Sequence, residues 1–247
     1  GYRPLKMRYK SQKDENFPVA FFLFPKEKRA LINAYYQFAR MADDIADNPS
    51  LSAEKKLNEL NNLEEILLGK DCSNPKFAVA KKLRDAFLEH NLSFSLATDL
   101  LIAFRQDATG FVYQTWAQLC QYCTYSAAPV GRFLLALHDE SPSTYLPAAS
   151  LCAALQIVNH LQDIKYDASV LKRIYLPQEV MSKFKVSENM LSSPCVSAEL
   201  RRCVDALIEK TYGLLKDSEI LPYIVKSRTL KIELFVIFCL TKSMLYK

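Results

Sequence analysis

The sequence PKEKRALINAYYQFARMADDIAD, residues 25–47, has the apolar spacing of an amphipathic helix and ends in three aspartates, Asp43, Asp44 and Asp47. Pro25 at its start and the Asn-Pro pair after its end are typical helix boundaries. The C-terminus of a helix carries partial negative charge, so each carboxylate in the last turn costs about 0.3–1 kcal/mol. Something outside this helix must therefore offset the three aspartates.

Other long segments also have helical periodicity, and they are separated by short runs of turn residues. Helices are predicted over 52–69, 76–90, 93–107, 114–138, 146–166, 197–216 and 228–246. Only 5 of the 247 residues are glycine, which disfavours a Rossmann fold or a turn-rich β-sandwich. The sequence therefore predicts an all-α protein with a single domain over residues 1–247.

The overall charge and the cysteines narrow the class of protein further. With 32 basic and 27 acidic residues the net charge is +5, which allows attraction to phosphate or anionic lipid but predicts no nucleic-acid partner. The 7 cysteines are scattered, so they are expected to be reduced and intracellular. No signal peptide is visible. The apolar run at 233–240 is too short for a membrane span, which needs about 20 residues.

Two helices carry matching polar stripes. Tyr36, Arg40, Asp43 and Asp47 fall within about 60° of one face of the first helix. In LQIVNHLQDIKYD, residues 155–167, one face within about 80° carries a second stripe. That second stripe consists of Gln156, Asn159, Asp163 and Asp167. Both stripes end in D-x-x-x-D, and the second lies on a largely apolar helix, which is an unusual place for a solvated polar face.

Two interpretations of the aspartates compete. Each D-x-x-x-D could be a solvated face paired with lysines, and Arg40 could form an ion pair with Asp43 or Asp44 of its own helix. Alternatively, the carboxylates converge on a cation, because two carboxylates about 6 Å apart repel by roughly 3 kcal/mol at an effective dielectric constant near 20. Aspartates without clustered His or Cys favour Mg²⁺, which typically bridges carboxylates to substrate phosphates. Arg40 then fits a diphosphate contact.

Diphosphate chemistry on apolar helices suggests a prenyl diphosphate substrate. Departure of a metal-held diphosphate leaves an allylic cation, which aromatic rings stabilise. The candidate rings, each more often simply a core residue, are Phe17, Phe21, Phe22, Phe24, Phe111, Tyr113 and Trp116.

These motifs resemble the squalene/phytoene synthase family of head-to-head prenyl synthases along most of the chain. Residues 24–47 resemble its first aspartate motif, and YCTYSAAPVG (122–131) resembles its mid-chain segment. LQIVNHLQDIKYD with the later RIYLPQE (173–179) resembles its second aspartate motif. The resemblance implies an isoprenoid-synthase-type helical bundle with a central cavity.

The same resemblance implies roles for the striped residues. Mg²⁺ would be held by Asp43, Asp47, Asp163 and Asp167, which are thereby catalytic. The diphosphate would be contacted by Arg40, Gln156, Asn159 and Tyr175. Tyr36 would line the reaction site and is also expected to be catalytic.

Within the family, ENFPVA (15–20), FRQD (104–107), SAAPVGR (126–132) and NHLQDI (159–164) most resemble the bacterial hydroxysqualene synthases of squalene and hopanoid biosynthesis. That resemblance implies a carbon–oxygen lyase that turns presqualene diphosphate into hydroxysqualene by water quenching. One departure from the family pattern is DASVLKRIY (167–175), which is one residue longer than usual and lacks a glycine before Arg173.

Two other functions remain open. One is a head-to-head prenyltransferase that condenses two prenyl diphosphates, and the other is a non-catalytic binding or assembly protein with the family fold. In either enzyme the substrate is a long hydrocarbon diphosphate. We therefore expect a cytoplasmic protein that contacts the inner membrane surface transiently through its basic start, which contains Arg3, Lys6, Arg8 and Lys10.

Overall fold

The computed structural model of the protein describes residues 26–245, and no β-strand occurs in that range. The first seven helices are α1 (Lys26–Asp47), α2 (Ala53–Leu67), α3 (Ala78–Glu89), α4 (Ser95–Thr109), α5 (Trp116–Ser126), α6 (Ala128–Leu137) and α7 (Tyr145–Gln162). The remaining helices are α8 (Ile164–Tyr166), α9 (Gln178–Lys183), α10 (Glu188–Ser192), α11 (Ala198–Ser218), α12 (Leu221–Ile224) and α13 (Arg228–Leu245). The predicted all-α fold class is confirmed, while the assignment of residues 1–247 to one domain stays a prediction.

The apolar face of α1 forms one core with α2, α3 and α4. Leu31, Phe38 and Ala42 of α1 are fully buried in it. The ring of Tyr35 packs on that of Phe133 with centroids 4.1 Å apart, and its hydroxyl donates to the carbonyl of Leu96 at 2.6 Å. Because this face is fixed by packing, the opposite polar stripe of α1 points away from this core.

Helix α7 is the central element of the second half of the chain. It packs against α5, α6, α11 and α13, and its buried face includes Leu151, Ala154 and Val158. Such a surrounded position explains why α7 is apolar over most of its circumference. Its polar residues therefore face a cavity.

Two predicted helices are interrupted in the structure. The helix predicted over 114–138 breaks at Ala127, which has a φ of −124°, and Pro129 then occupies the first turn of α6. Proline lacks a backbone N–H and is tolerated in a first helical turn but not in a helix interior, so the chain forms α5 and α6 instead. The helix predicted over 146–166 ends at Gln162, and Asp163 separates it from α8. The short helices α9, α10 and α12 were not predicted.

The structure bears on the predictions about the cysteines and about membrane-spanning segments. All seven cysteines lie within the described range, and none forms a disulfide there. Between residues 26 and 245, none of the helices combines the length and hydropathy that a bilayer crossing requires. The basic residues Arg3, Lys6, Arg8 and Lys10 lie outside the described residues.

Candidate active site

A polar cavity of about 320 Å³ lies between the end of α1 and the end of α7. Seven of the nine predicted site residues line it: Asp43, Asp47, Gln156, Asn159, Asp163, Asp167 and Tyr175. The two D-x-x-x-D motifs thus meet across one cavity. The other two, Tyr36 and Arg40, lie further back on α1. There Arg40 Nη1 donates to the hydroxyl of Tyr36 at 3.3 Å, and its Nε lies 3.4 Å from Asp44 Oδ1.

Arg173 supplies much of the charge that the aspartate-rich end of α1 requires. Its Nη1 donates to Asp47 Oδ1 at 2.7 Å and its Nη2 donates to the carbonyl of Ala46 at 2.8 Å. Its Nε donates to the carbonyl of Asp107, in the last turn of α4, at 3.0 Å. One buried guanidinium therefore ties together the negative ends of two helices. From the sequence, this compensation was expected from a metal ion, and the role of Arg173 was not predicted.

The second aspartate pair is held by an irregular turn. After α8, residues Asp167–Leu171 form a π-helical turn, and the chain then passes through Lys172 in the left-handed conformation, with a φ of 56°. The amide of Arg173 closes this turn on the carbonyl of Asp167 at 2.8 Å. A π turn accommodates an extra residue, so this turn can absorb the additional residue that the family resemblance indicates. The left-handed position falls on Lys172, where the missing glycine was expected.

Asp167 is only 5% exposed, and its ion-pair partner among the described residues is His160. His160 Nδ1 lies 3.7 Å from Asp167 Oδ2, so this contact is an ion pair only when the imidazole is protonated. One face of the imidazole stacks on the ring of Tyr175, with ring centroids 3.8 Å apart. The Nε2 of His160 lies 3.2 Å from the Nε2 of Gln156. His160 thereby contacts three predicted site residues, although it was not itself predicted.

A buried carboxylate that the sequence reasoning also missed, Asp107, lies on the same wall. Its oxygens accept hydrogen bonds from Tyr122 at 2.9 and 3.1 Å and from Tyr175 at 2.6 Å. Burial raises the pKa of the Asp107 carboxyl, while the charge of Arg173 and these hydrogen bonds oppose that shift. Tyr175 donates its hydroxyl proton to Asp107 here, rather than into the space where a diphosphate would bind. Asp107 belongs to the FRQD motif and His160 to the NHLQDI motif. Both motifs could be recognised in the sequence, but their placement in the cavity could not.

An apolar cavity of about 320 Å³ adjoins the polar one. Its wall includes Leu134, Leu135, Leu151, Leu155, Leu230 and Leu234. Ser126, Gln156 and Asn159 line both cavities, so the two share a wall of neutral polar side chains. Glu233 is the one charged residue in the described part of the apolar wall, and burial raises the pKa of its carboxyl.

Three of the aromatic candidates can be placed. Phe111 is 46% exposed, whereas Tyr113 is buried and donates its hydroxyl to Gln106 Oε1 at 3.0 Å. Neither these two nor Trp116 belongs to the wall of either cavity as far as the described residues show. Phe17, Phe21, Phe22 and Phe24 lie outside the described residues.

The carboxylates fit a cation that takes few protein ligands. Within residues 26–245 no group of three or more His, Cys, Asp or Glu side chains is close enough to hold a metal ion. Each aspartate pair instead faces the shared cavity. Mg²⁺ usually keeps several waters and is bound through one or two carboxylates together with substrate phosphates. The donor set therefore suits Mg²⁺ held jointly with a phosphorylated ligand better than a caged ion.

The fold is that of the all-α isoprenoid synthases. A solved structure of squalene synthase HpnC from Alicyclobacillus acidocaldarius is similar, with a TM-score of 0.79 and 26% identity over 94% of this chain and 87% of that one. A dehydrosqualene synthase in complex with ligand is similar with a TM-score of 0.71 and 29% identity, over 88% of this chain and 75% of that one.

Sequence comparison identifies the family within the all-α isoprenoid synthases. The squalene/phytoene synthase profile matches residues 10–245. A hydroxysqualene synthase from Rhodopseudomonas palustris is 42% identical over 92% of this chain and 77% of that protein. Another from Zymomonas mobilis is 39% identical over 95% and 79%. The chain belongs to the squalene/phytoene synthase family.

Proposed function

We propose that this protein is a Mg²⁺-dependent prenyl diphosphate enzyme that converts presqualene diphosphate to hydroxysqualene and releases diphosphate. The observation that carries the proposal is the pair of adjoining cavities, one lined by four aspartates and the other by leucines, with Ser126, Gln156 and Asn159 in the wall between them. A substrate with a charged head and a long hydrocarbon body matches that arrangement. The two relatives at 42% and 39% identity carry the name hydroxysqualene synthase.

The residues of the two cavities would have different roles in the reaction. The four aspartates would hold Mg²⁺, which when bound neutralises charge on the diphosphate leaving group. Gln156 and Asn159 present amide groups that can hold the diphosphate or order one water molecule at the shared wall. The leucine-lined cavity would surround the hydrocarbon and exclude other water. That exclusion limits premature quenching of the carbocation that forms when the diphosphate leaves.

The decisive test is to supply presqualene diphosphate in ¹⁸O-labelled water with Mg²⁺ and without NADPH. We expect hydroxysqualene that carries the label, because its hydroxyl oxygen would come from water. An identical reaction in excess chelator is the matched control and should give no product. Unlabelled product, or full turnover in chelator, would contradict the proposal.

A second candidate is a head-to-head prenyltransferase that condenses two farnesyl diphosphates. The similar solved structures, which carry the names squalene synthase and dehydrosqualene synthase, favour it. Consumption of farnesyl diphosphate alone would support this candidate, and squalene formed only with NADPH would indicate a squalene synthase. Failure to turn over any of these substrates, with the protein folded and Mg²⁺ present, would indicate a non-catalytic binding or assembly protein.

A transient membrane contact is a separate part of the proposal. Substrate and product are long hydrocarbons, and Arg3, Lys6, Arg8 and Lys10 supply a basic segment that anionic lipid attracts. The protein would then act in the cytoplasm, at the inner face of the membrane. Flotation with anionic liposomes at low salt should recover the protein, and substitution of the four basic residues by serine should reduce that recovery. Equal flotation of both forms would remove the idea.

A further inference from the structure

Ser126 is the last residue of α5, and its hydroxyl oxygen is buried without a hydrogen-bond partner among the described residues. A serine or threonine inside a helix often donates to a carbonyl of the preceding turn. Two other buried hydroxyls do so here: Thr211 donates to the carbonyl of Leu207 at 2.7 Å, and Ser218 donates to that of Leu215 at 2.8 Å. An unpaired buried hydroxyl destabilises a fold, so the hydroxyl of Ser126 calls for a ligand.

Ser126 lies at the boundary between the two cavities. Tyr122, one helical turn earlier on α5, lines the polar cavity, whereas Ala127 and Val130 line the apolar one. Ser126 lines both. The chain changes direction directly after it, because Ala127 has a φ of −124° and separates α5 from α6. The ends of two helices therefore fix the position of this side chain in the shared wall.

The neighbours of Ser126 in the shared wall indicate what kind of ligand it can take. Helix α5 packs against α7, which contributes Gln156 and Asn159 to the same wall. A hydroxyl beside two carboxamides offers hydrogen bonds but no charge, whereas the aspartates of the polar cavity are suited to a metal-bound diphosphate. The wall therefore suits a small neutral ligand, and water is the one that the proposed reaction requires.

The hydroxyl can reach the cavities by rotation about the Cα–Cβ bond. Its oxygen is buried in the observed rotamer, although the residue lines both cavities. A serine side chain has three staggered positions, and no hydrogen bond to a described residue retains the observed one. Rotation toward a water molecule exchanges an unpaired hydroxyl for a paired one, which favours the bound water.

We propose that the hydroxyl of Ser126 holds the water molecule that captures the carbocation. The inference rests on the proposed function and names the group that positions its nucleophile. The bond from carbon to the diphosphate oxygen breaks, and its electron pair leaves with the diphosphate. The oxygen of the held water bonds to the rearranged carbocation, and one proton of that water passes to the released diphosphate. Nothing is oxidised or reduced.

The hydrogen bonds of the wall orient this water for attack. Water attacks through a lone pair, so its two hydrogens must point away from the carbocation. The Oγ of Ser126 accepts one hydrogen, and the amide oxygen of Asn159 or Gln156 accepts the other. The free lone pair is then directed toward the hydrocarbon, while the leucine-lined cavity excludes further water.

The test compares Ser126→Ala with Ser218→Ala, each supplied with presqualene diphosphate and Mg²⁺ in ¹⁸O-labelled water. Both variants lose one buried hydroxyl, but Ser218 belongs to the described wall of neither cavity. A carbocation that is not captured loses a proton and gives a hydrocarbon. We expect the ratio of labelled hydroxysqualene to hydrocarbon to fall about tenfold in S126A, the effect of one lost hydrogen bond. S218A should keep the wild-type ratio.

Thermal unfolding of the same two variants separates a positioning role from a structural one. S126A removes a hydroxyl that has no partner among the described residues, so its melting temperature should equal or exceed that of the wild type. S218A removes a paired hydroxyl, so its melting temperature should fall.

The outcomes distinguish this inference from the function on which it rests. A wild-type product ratio in S126A would overturn the inference and leave the proposed function standing. A melting temperature that falls as far in S126A as in S218A would also overturn it, because the hydroxyl would then have an internal partner. A wild-type protein that forms no hydroxysqualene would overturn the proposed function and the inference together.

Discussion

At the end of α1, Asp47 accepts a 2.7 Å hydrogen bond from a guanidinium that is itself buried, whereas beyond α7 Asp167 faces a histidine at 3.7 Å. Both aspartates close a D-x-x-x-D and both line the polar cavity. Asp47 belongs to a regular helix, and Asp167 opens a π-helical turn. The first carboxylate is thus neutralised within the fold, and the second depends on the protonation of an imidazole.

This difference indicates how much each aspartate motif contributes to Mg²⁺ binding. A carboxylate that is already paired gains less from a cation, because the cation must compete with the existing partner. A buried carboxylate without a permanent cation gains more. We therefore expect the second motif to provide most of the affinity for Mg²⁺, and the first motif to provide a preformed wall.

Replacement of Arg173 by methionine should give the largest effect on stability. It removes the cation from Asp47, from the buried Asp107 and from two helix C-termini, and breaking a buried pair on one side costs about 3–5 kcal/mol. Urea unfolding measures this loss. The control Arg202→Met changes an exposed arginine on α11 and should cost little. A loss below about 1 kcal/mol in R173M would mean that Arg173 does not hold the first motif.

Asp163→Asn should remove most turnover. We expect a fall of about 100-fold in kcat/KM, equivalent to about 2.7 kcal/mol of transition-state stabilisation. Asp44→Asn is the matched control, because Asp44 lies in the first motif but outside the cavity wall. Full activity in D163N would show that the second motif is not part of the reaction site.

Mg²⁺ with inorganic diphosphate should stabilise the protein by linkage. A ligand at 100 times its Kd contributes about 2.7 kcal/mol, which thermal unfolding detects as a raised melting temperature. If the second motif supplies most of the affinity, Asp167→Asn should reduce this shift more than Asp47→Asn does. The reverse order would contradict our ranking of the two motifs. Ca²⁺ or diphosphate alone serves as the control ligand.

Without ligand, the same two variants should differ in the opposite sense. Asp47→Asn replaces a charged partner of Arg173, and a hydrogen bond to a charged group contributes about 1.5–3 kcal/mol. Asp167→Asn removes a buried charge that lacks a permanent cation, so its free energy of unfolding should stay equal or rise. Chemical denaturation of both variants in the same buffer provides the comparison. Equal losses in both variants would remove the contrast between the motifs.

The smallest expected effect concerns Lys172. A left-handed conformation costs a residue with a Cβ roughly 1–2 kcal/mol, part of which glycine loses again through chain entropy. Lys172→Gly should therefore stabilise the protein by about 0.5–1 kcal/mol. Lys185, with a φ of 57° outside the site, is the positive control and should respond similarly to glycine. A loss of stability in K172G alone would show that the lysine side chain, rather than its backbone, matters at the second motif.

Much of the fold and part of the site could be predicted because their signals are local. Helical periodicity located the long helices, and the two stripes located both aspartate motifs. Arg173 was not predicted, since its partners Asp47 and Ala46 are 126 and 127 residues away in the chain. Asp107 was missed for the same reason, because its tyrosines lie 15 and 68 residues away. The break at Asp163 carries no proline or glycine, so nothing in the local sequence announced it.

The wall shared by the two cavities would affect what happens to the diphosphate and the carbocation after they separate. Ser126, Gln156 and Asn159 are neutral, so under the proposed chemistry the departing anion and the carbocation are separated by dipoles rather than by a fixed charge. Dipoles of this size screen the attraction only partly, which keeps recombination in competition with capture by water. Substitution of any of these three uncharged side chains should therefore change the ratio of recaptured diphosphate to alcohol.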